Sequence, residues 1–410
     1  MTTPILYVAD ALIDGTGASP QRPGAILVDD ERIAATGVEA RAAAAADARI
    51  VELAGCTLLP GLIDAHLHLD GWRSLNRIDW VLMDDGLRAI GAARDAARML
   101  AAVSLRQAVQ AGEVPGPRMQ VAVKGIYQTG GQGDRSWLPL DLVRARESCR
   151  LADGPDDCRR AVREMVRAGA DVIKIAASGG PRSMVPHFSP AELAVLVDEA
   201  HRMGFRVACH ALGAVAIRNA VDAGVDSVEH GYGLDAATAE LMAQRGTFLV
   251  CDLLMRERYA TRGPALGYPQ AEADAAVRAL EEGVASLRLA YEAGVHVAFG
   301  TDYGGQPILP PAELADGLLL MVDAGLSALE AIRAATATAA AVMGWDHRVG
   351  TLQAGRLADM IAVSGDALKD LRILRQPVLV MQGGRLIPPD IGTWPRAAAV
   401  PPGVLTTKER

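Results

Sequence analysis

Six side chains that could bind metal ions occur at the ends of apolar runs in this 410-residue sequence. His66 and His68 close the segment PGLIDAHLHL two residues apart, so both rings project to the same side of an extended strand. The other four belong to separate runs: Lys174 in DVIKIAASGG, His210 in FRVACHALG, His230 in VDSVEHGYG and Asp302 in VHVAFGTDYGG. Imidazole and carboxylate groups suit Zn²⁺ or a neighbouring divalent ion. The six residues therefore predict a metal site.

Lys174 is the unusual member of this set, because metal cations would repel a buried ammonium group. Its charge must be neutralised, for example by a loop carboxylate, or the side chain must be chemically changed. Carboxylation of the amine by CO₂ would give a carboxylate that can bridge two ions. His201 lies in a predicted helix, His296 inside a predicted strand and His347 after the last predicted helix of the middle segment, and we do not assign them to the site.

The elements that must position these residues alternate between about 60 and 345. Short β-branched runs are followed by helical stretches rich in alanine and leucine. Near-continuous apolar runs are typical of parallel strands covered on both faces. Repeated β-α units favour an α/β fold with a closed barrel, in which functional side chains gather at the carboxyl ends of the strands.

Both ends of the chain have a different pattern. Alternating apolar residues and regular turn signals predict a small antiparallel sheet, and similar strands recur near the C-terminus. We therefore predict a discontinuous β domain from residues 1–60 and 346–400, and a barrel domain from residues 61–345.

Composition limits the partners. Lys and Arg number 41 against 49 Asp and Glu, and the diffuse charge of −8 argues against nucleic acid and anionic membrane surfaces. Half of the residues are hydrophobic, which excludes a disordered chain. The five scattered cysteines predict reduced thiols, and from the sequence pattern we expect neither a signal peptide nor a membrane span. We expect a soluble cytoplasmic protein that forms a homo-oligomer, as large barrels often do.

The chain resembles the amidohydrolase superfamily, and within it the imidazolonepropionase-like group that includes Xaa-Pro and arginine or lysine carboxypeptidases and ochratoxin-hydrolysing amidases. The resemblance covers about residues 5–387 and rests on PGLIDAHLHL, TGGQGD, GADVIKIAASGG, VACHALG, DSVEHG, AFGTDYGG and GTLQAGRLADMIAV. It implies a (β/α)₈ TIM-like barrel beside a small β-sandwich formed by both termini.

The resemblance also implies roles for the six residues. The ligand set would comprise His66 and His68 at a more buried ion, His210 and His230 at a more exposed ion, carboxylated Lys174 between them, and Asp302. Two divalent ions, Zn²⁺ first among Zn²⁺, Mn²⁺, Co²⁺ and Fe²⁺, would lower the pKa of a water molecule. Asp302 would pass a proton from that water to the leaving nitrogen of an amide.

Four further residues are candidates for binding substrate. Gln132 in TGGQGD replaces the histidine of the TGGHGD loop common in this group, so substrate preference or activity is expected to differ. Arg182 and His187 follow Lys174 in one loop, where Arg182 either clamps a substrate carboxylate or is simply solvated. Tyr232 either contacts substrate or caps a strand.

One departure from the group lies near residues 91–103, where the run that would form the second barrel strand is missing. Three explanations compete: residues absent from this sequence, a deletion compensated by local rearrangement, or a damaged paralogue. We favour the first, because the metal constellation is intact.

The leading functional hypothesis is a binuclear metal-dependent amidohydrolase that releases a C-terminal amino acid from a dipeptide or an N-acyl amino acid. The alternatives are hydrolysis of a cyclic amide, as in imidazolonepropionase, or of a xenobiotic amide such as ochratoxin. A non-catalytic scaffold is disfavoured because all six candidate ligands are present.

Overall fold

The computed structural model of the chain describes residues 3–45, 48–68, 103–113, 115–134, 139, 149–304, 307–388 and 406–408. It contains two compact units, one of Met1–Ala65 with Ala312–Arg410 and one of His66–Pro311. We call them the terminal unit and the barrel unit.

Strands of the described residues are, in chain order, β1 (Ile5–Leu12), β2 (Gly24–Asp29), β3 (Arg32–Thr36), β4 (Arg49–Pro60), β5 (Gly125–Tyr127), β6 (Cys149–Leu151), β7 (Ile173–Ala176), β8 (Val207–Ala211), β9 (Ser227–His230), β10 (Phe248–Cys251), β11 (Val297–Phe299), β12 (Met360–Ser364), β13 (Leu379–Gln382), β14 (Arg385–Leu386) and β15 (Thr406–Lys408).

Helices of the described residues are α1 (Gly37–Ala43), α2 (Val103–Gln110), α3 (Pro155–Arg167), α4 (Pro190–Arg202), α5 (Ala214–Ala223), α6 (Ala236–Arg245), α7 (Leu253–Arg262), α8 (Gln270–Glu292), α9 (Asp316–Asp323), α10 (Ala328–Arg333) and α11 (Ala339–Val342). A π-helical segment, Ala334–Thr338, joins α10 to α11.

The terminal unit is built on one sheet to which both ends of the chain contribute. Its order is β14-β13-β12-β4-β1-β2-β3, and β15 pairs with β4. The β-rich domain predicted from both termini is thus confirmed. The sheet is not wholly antiparallel as predicted, because β1 and β4 run parallel. The chain forms β2, β3 and α1 before it returns as β4, and such a crossover permits parallel pairing.

Residues 312–345, which the sequence analysis places in the barrel domain, group with the terminal unit. Two contacts account for this. The Ile63 amide donates to the Ala335 carbonyl over 2.7 Å, and the Arg375 guanidinium binds both carboxylate oxygens of Asp316 at 2.5 and 2.6 Å.

The described residues of the barrel unit form seven parallel strands in the order β11-β10-β9-β8-β7-β5-β6. Leu67 forms an isolated parallel bridge to Tyr303, just beyond β11. Ile173 and Ile175 on one face of β7 and Ala176 on the other are completely buried, as expected for a strand covered on both faces. The predicted α/β barrel is confirmed. The question of a missing second strand falls largely on residues 69–102, which lie outside the described residues.

Local sequence signals explain where helices begin. Ser189 caps α4 through a capping box, in which its side chain accepts from the Glu192 amide while the Glu192 carboxylate accepts from the Ser189 amide. Asp235 caps α6 by accepting from the Thr238 amide.

Two expectations on composition can be compared with the structure. All five cysteines are buried and none is in a disulfide, so the thiols stay predicted to be reduced. Among the helices that the structure describes, none is both long enough and apolar enough to cross a membrane.

Candidate metal centre

Backbone hydrogen bonds hold the His66–His68 segment beside the loop that carries Asp302. The amides of Thr301 and Asp302 donate to the His66 carbonyl over 3.1 and 2.9 Å, and the His68 amide donates to the Tyr303 carbonyl over 2.5 Å. Gly300 permits this approach, because a Cβ atom there would lie 2.9 Å from the His66 Cβ.

The side chains of this segment converge on Asp302. The His68 Nε2 lies 3.2 Å from Asp302 Oδ1, and the His66 Nε2 lies 3.7 Å from the same oxygen. The two Nε2 atoms are 3.4 Å apart. Lys174 Nζ, from the middle of β7, is 3.5 Å from His66 Nδ1. The geometry therefore brings these four predicted residues together.

His210 and His230 complete the group from β8 and β9. The His210 and His230 ring centroids are 4.6 Å apart, and those of His66 and His230 are 4.9 Å apart. His210 donates from Nε2 to the Gly179 carbonyl over 3.0 Å, which leaves Nδ1 as the nitrogen available to a ligand. All six residues predicted as metal ligands thus form one contiguous cluster.

Two buried carboxylates that the sequence analysis did not select orient two of the histidines. Glu229 Oε2 lies 2.5 Å from His66 Nδ1, and Asp252 Oδ2 lies 2.6 Å from His230 Nδ1. Each carboxylate accepts from Nδ1 and so fixes the tautomer in which the lone pair lies on the opposite nitrogen, Nε2. A sequence signal existed for both residues, since Glu229 precedes His230 and Asp252 directly follows β10.

Arg256 is a further residue that the sequence analysis missed. It lies in the first turn of α7, and its Nη2 donates to Asp302 Oδ2 over 2.8 Å. Its Nε is buried and has no partner among the described residues. No strand end marks this position in the sequence, which explains why the pattern of strand-terminal ligands did not reveal it.

Burial and neighbouring charges shift the pKa values of the cluster. Burial and the charge of His230 hold the pKa of His210 well below its ordinary value, so the imidazole is neutral and able to bind a metal. Burial lowers the pKa of Lys174 against the opposing effect of Glu229. Burial would raise the pKa of Asp302, but the His68 hydrogen bond and the charges of His230 and Arg256 outweigh it and keep the carboxylate ionised.

The pKa of Asp252 shifts in the direction opposite to that of Asp302. Burial, together with the nearby charge of Asp302, raises the pKa of Asp252 to about 6. The Tyr232 hydroxyl donates to Asp252 Oδ1 over 2.7 Å and partly offsets this effect. Asp252 therefore serves both His230 and Tyr232.

The backbone at two of the six residues is left-handed. His230 has φ of 68° and Asp302 has φ of 53°, values that side-chain-bearing residues seldom adopt. Both residues lie where a barrel strand ends or has just ended, and the turn directs their side chains into the cluster. Such conformations cost energy and are typical of functional sites.

The donor set fits divalent metal ions. Two groups of side chains, His66 with His68 and Asp302, and His230 with Asp252 and Asp302, each offer ligand atoms within 4.8 Å of one another. Neutral imidazoles and ionised carboxylates are the ligands such ions take. The two groups share Asp302, which is consistent with neighbouring ions.

The four predicted substrate residues have different surroundings. Arg182 is exposed and forms an ion pair with Glu272 at 2.6 Å, so it is not placed at the cluster. Tyr232 is completely buried behind His230 and donates to Asp252. Gln132 lies beside Gly180, because a Cβ atom on Gly180 would be 3.7 Å from Gln132 Nε2.

Of the four predicted substrate residues, His187 has the surroundings that best suit contact with a substrate. The side chain is buried, and its Nδ1 has no partner among the described residues. It faces the TGGQGD loop, since a Cβ atom on Gly131 would lie 3.2 Å from that nitrogen. Burial lowers the pKa of this imidazole, so it is neutral near pH 7.

The three histidines left unassigned lie elsewhere. His201 pairs with Asp226 at 2.8 Å, the His296 ring lies 5.7 Å from that of Phe248, and His347 is exposed.

Comparison with known proteins agrees with the architecture. The amidohydrolase family profile matches residues 57–387, and the chain belongs to that family. It is 32% identical to ochratoxinase of Aspergillus niger over 97% of this chain and 89% of that protein. It is 27% identical to imidazolonepropionase of Symbiobacterium thermophilum over 83% of this chain and 84% of that one.

A solved structure is similar to this chain over almost its whole length. A prolidase complexed with N-methylphosphonate-L-proline shares 30% identity and a TM-score of 0.84 with the chain, and the match covers 94% of this chain and 99% of that one. The resemblance stated from the sequence is confirmed. The protein is a hydrolase of the amidohydrolase superfamily, whose members act on amide bonds.

Proposed function

We propose that the protein is a binuclear metal-dependent amidohydrolase that releases a C-terminal amino acid from a dipeptide or an N-acyl amino acid. The observation that carries the proposal is the cluster of four histidines, Lys174 and Asp302, in which buried carboxylates hold the Nδ1 atoms of His66 and His230. The prolidase and ochratoxinase relatives support this class of substrate.

The ligand assignment is the one that the resemblance to the amidohydrolase superfamily implies. His66 and His68 would hold one ion and His210 and His230 the other, with Asp302 as a further ligand. Bound ions, Zn²⁺ first among them, would supply Lewis acidity and lower the pKa of a water molecule.

Lys174 would act as a carbamate between the ions. Its nitrogen attacks the carbon of CO₂, an N–C bond forms, and one proton passes from the nitrogen to water. The product is an anion in place of an ammonium, which removes the unfavourable cation from a buried metal site. The position of Nζ, 3.5 Å from His66 Nδ1, supports a role next to the ligands.

Asp302 would move the proton of the reaction. It accepts a proton from the attacking water as the oxygen forms a bond to the amide carbon, and it delivers that proton to the nitrogen as the C–N bond breaks. The products are a carboxylic acid and the free amine of an amino acid. Its two oxygens are already divided, with Oδ1 toward His68 and Oδ2 toward Arg256.

Substrate is proposed to bind between the TGGQGD loop and the loop after β7. Gln132 offers an amide, and His187 offers a neutral imidazole whose Nδ1 has no partner in the described chain. Tyr232 contributes through Asp252, and Arg182 would reach substrate only if it left Glu272.

Metal analysis and a hydrolysis assay before and after chelation test the function. The expected result is about two divalent ions per chain, loss of activity with chelator, and recovery when Zn²⁺ is added. Protein that contains no divalent metal, cannot be loaded with it and hydrolyses no N-acyl amino acid would contradict the proposal.

A second candidate is hydrolysis of a cyclic or xenobiotic amide, which the imidazolonepropionase and ochratoxinase relatives favour. A panel of dipeptides, N-acyl amino acids, lactams and anilides separates these activities. A metal-loaded protein inactive on the entire panel would favour a scaffold.

We also propose that the protein works in the cytoplasm as a homo-oligomer without nucleic acid or membrane partners. Five free, buried thiols are compatible with a reducing compartment. Val215, Val277 and Tyr291 are exposed apolar side chains on barrel helices that a second copy could cover. Light scattering after size exclusion measures the oligomeric state.

A further inference from the structure

We propose that Arg256 binds the carboxylate of the substrate's leaving amino acid and so determines specificity for substrates with a free C-terminus. This inference rests on the proposed function, because it names the substrate group that the same site would recognise. The role was assigned to Arg182 as one sequence hypothesis, and the ion pair of Arg182 with Glu272 speaks against it.

Arg256 has unused hydrogen-bonding capacity at the reacting centre. A guanidinium carries five N–H donors. Among the described residues, Nη2 bonds to Asp302 Oδ2 at 2.8 Å, whereas Nε is buried without a partner. Tyr259 supports the guanidinium from one side, with its ring centroid 5.9 Å from Cζ. The side chain remains 18% exposed, so a ligand can reach it.

The distance to Asp302 fits an α-carboxylate. In a C-terminal amino acid one carbon separates the leaving nitrogen from the carboxylate, so nitrogen and carboxylate oxygen lie roughly 3 Å apart. A donor that binds this carboxylate must then lie within about 6 Å of the leaving nitrogen, and so within about 9 Å of the oxygen that protonates it. Arg256 Nη2 meets this condition at 2.8 Å from Asp302.

The chemistry of the group selects its ligand. A planar guanidinium binds a carboxylate through two parallel N–H bonds, which are shorter and stronger than neutral ones. One carboxylate, Asp302, already occupies Nη2, and a substrate carboxylate would provide an acceptor for the other donors, of which Nε has none among the described residues. A neutral carboxamide presents one oxygen acceptor and carries no charge, so Arg256 should distinguish the two.

The test compares acid and amide forms of one substrate. The N-acyl amino acid with the highest turnover in the panel is assayed beside its C-terminal carboxamide, with metal-loaded wild-type, Arg256→Gln and Arg256→Lys proteins. Wild type should prefer the acid by about 100-fold in kcat/KM, Arg256→Gln should lower that ratio below about fivefold, chiefly through KM, and Arg256→Lys should keep part of it. Arg245→Gln, on α6, removes a guanidinium bound to Val221 and Asp222 and should leave the ratio unchanged.

Equal loss on acid and amide in Arg256→Gln would overturn the proposal, because it would mean that Arg256 only positions Asp302. A binding measurement gives an independent result. Calorimetric titration should show that Arg256→Gln binds the free L-amino acid about tenfold more weakly than wild type does. The two proteins should bind the amide of that amino acid equally well. If wild type hydrolyses no N-acyl amino acid, the proposed function fails, and this titration still decides whether Arg256 binds a carboxylate.

Discussion

The carboxylate of Glu229 and the imidazole of His66 meet at 2.5 Å, and both side chains are almost completely buried. Ser227 donates to the other oxygen of Glu229 at 2.5 Å, so the carboxylate is held at both ends. The histidine is thereby fixed in one orientation before any ligand binds. Mutation of a carboxylate that holds a metal-binding histidine in this way typically lowers metal affinity or activity about 10- to 100-fold.

Glu229→Gln should weaken metal binding about 10- to 100-fold, because an amide polarises His66 less than a carboxylate does. Competition with a fluorescent chelator measures the dissociation constant. Ser227→Ala, which removes only the hydrogen bond to Glu229, is the matched control and should have a smaller effect. Wild-type affinity in Glu229→Gln would show that His66 needs no carboxylate partner.

Lys174→Ala should lower metal content and activity together, with a loss of activity of at least about 100-fold, since it removes the bridging group. Partial rescue by acetate or propionate is expected, because a small carboxylate can occupy the space left by the carbamate. Metal analysis and kcat in the presence of the acid are the measurements. Lys369→Ala, at an exposed position, is the control. Full activity of Lys174→Ala without added acid would refute the bridging role.

His187→Leu should separate stability from activity. Removing a buried nitrogen that has no partner in the described part of the chain should raise the free energy of unfolding by about 1 kcal/mol. Loss of a hydrogen bond to substrate should at the same time lower kcat/KM about five- to tenfold. Urea unfolding and steady-state kinetics provide the two values, with His201→Leu as a surface control. A stabilised variant with unchanged kcat/KM would assign His187 to packing.

Glu199 should give the barrel unit a pH-dependent stability. Its carboxylate binds Arg163 and Arg202 at 2.6 Å each and lies 3.8 Å from Arg159. The hydrogen bond from Arg163 is the main reason that the pKa of Glu199 falls below its ordinary value in the folded chain. A depressed folded-state pKa stabilises the fold above the unfolded pKa of about 4.3, and this contribution is lost as pH falls through the folded value.

Glu199→Gln should therefore be less stable than wild type at pH 7, and the difference should shrink as pH is lowered below about 4.3. Urea unfolding at several pH values between 3 and 7 gives the free energies. Glu240→Gln, at an exposed position on α6, should follow wild type throughout. A difference that stays constant with pH would mean that the ionised carboxylate does not stabilise the fold.

The sequence predicts the architecture and much of the candidate site for a physical reason. Parallel strands bring their carboxyl ends to one edge, so His66, His210 and His230 could be placed together without coordinates. Glu229 and Asp252 were not selected, because their position at a strand end does not by itself show that they bond to a histidine. The contact of Arg256 with Asp302 depends on the direction in which α7 follows β10, and the pairing of Arg182 with Glu272 depends on loop geometry. Neither can be predicted from a strand pattern. The antiparallel pairing predicted for the terminal unit is partly wrong. Local alternation of apolar residues does not reveal the crossover connection that places β1 parallel to β4.

The left-handed backbone at His230 and Asp302 has a consequence for the descendants of this protein. Each position demands two properties at once, a side chain that binds and a residue that tolerates positive φ. Asparagine, aspartate and histidine enter this region several times more often than other side-chain-bearing residues, whereas β-branched residues are outliers there. A homologue that had lost the activity would still need a residue that tolerates positive φ at positions 230 and 302. It would therefore accept Asn or Gly there far more readily than Val, Ile or Thr. Asn or Gly at these two positions would therefore mark a relative that has kept the fold and abandoned the reaction.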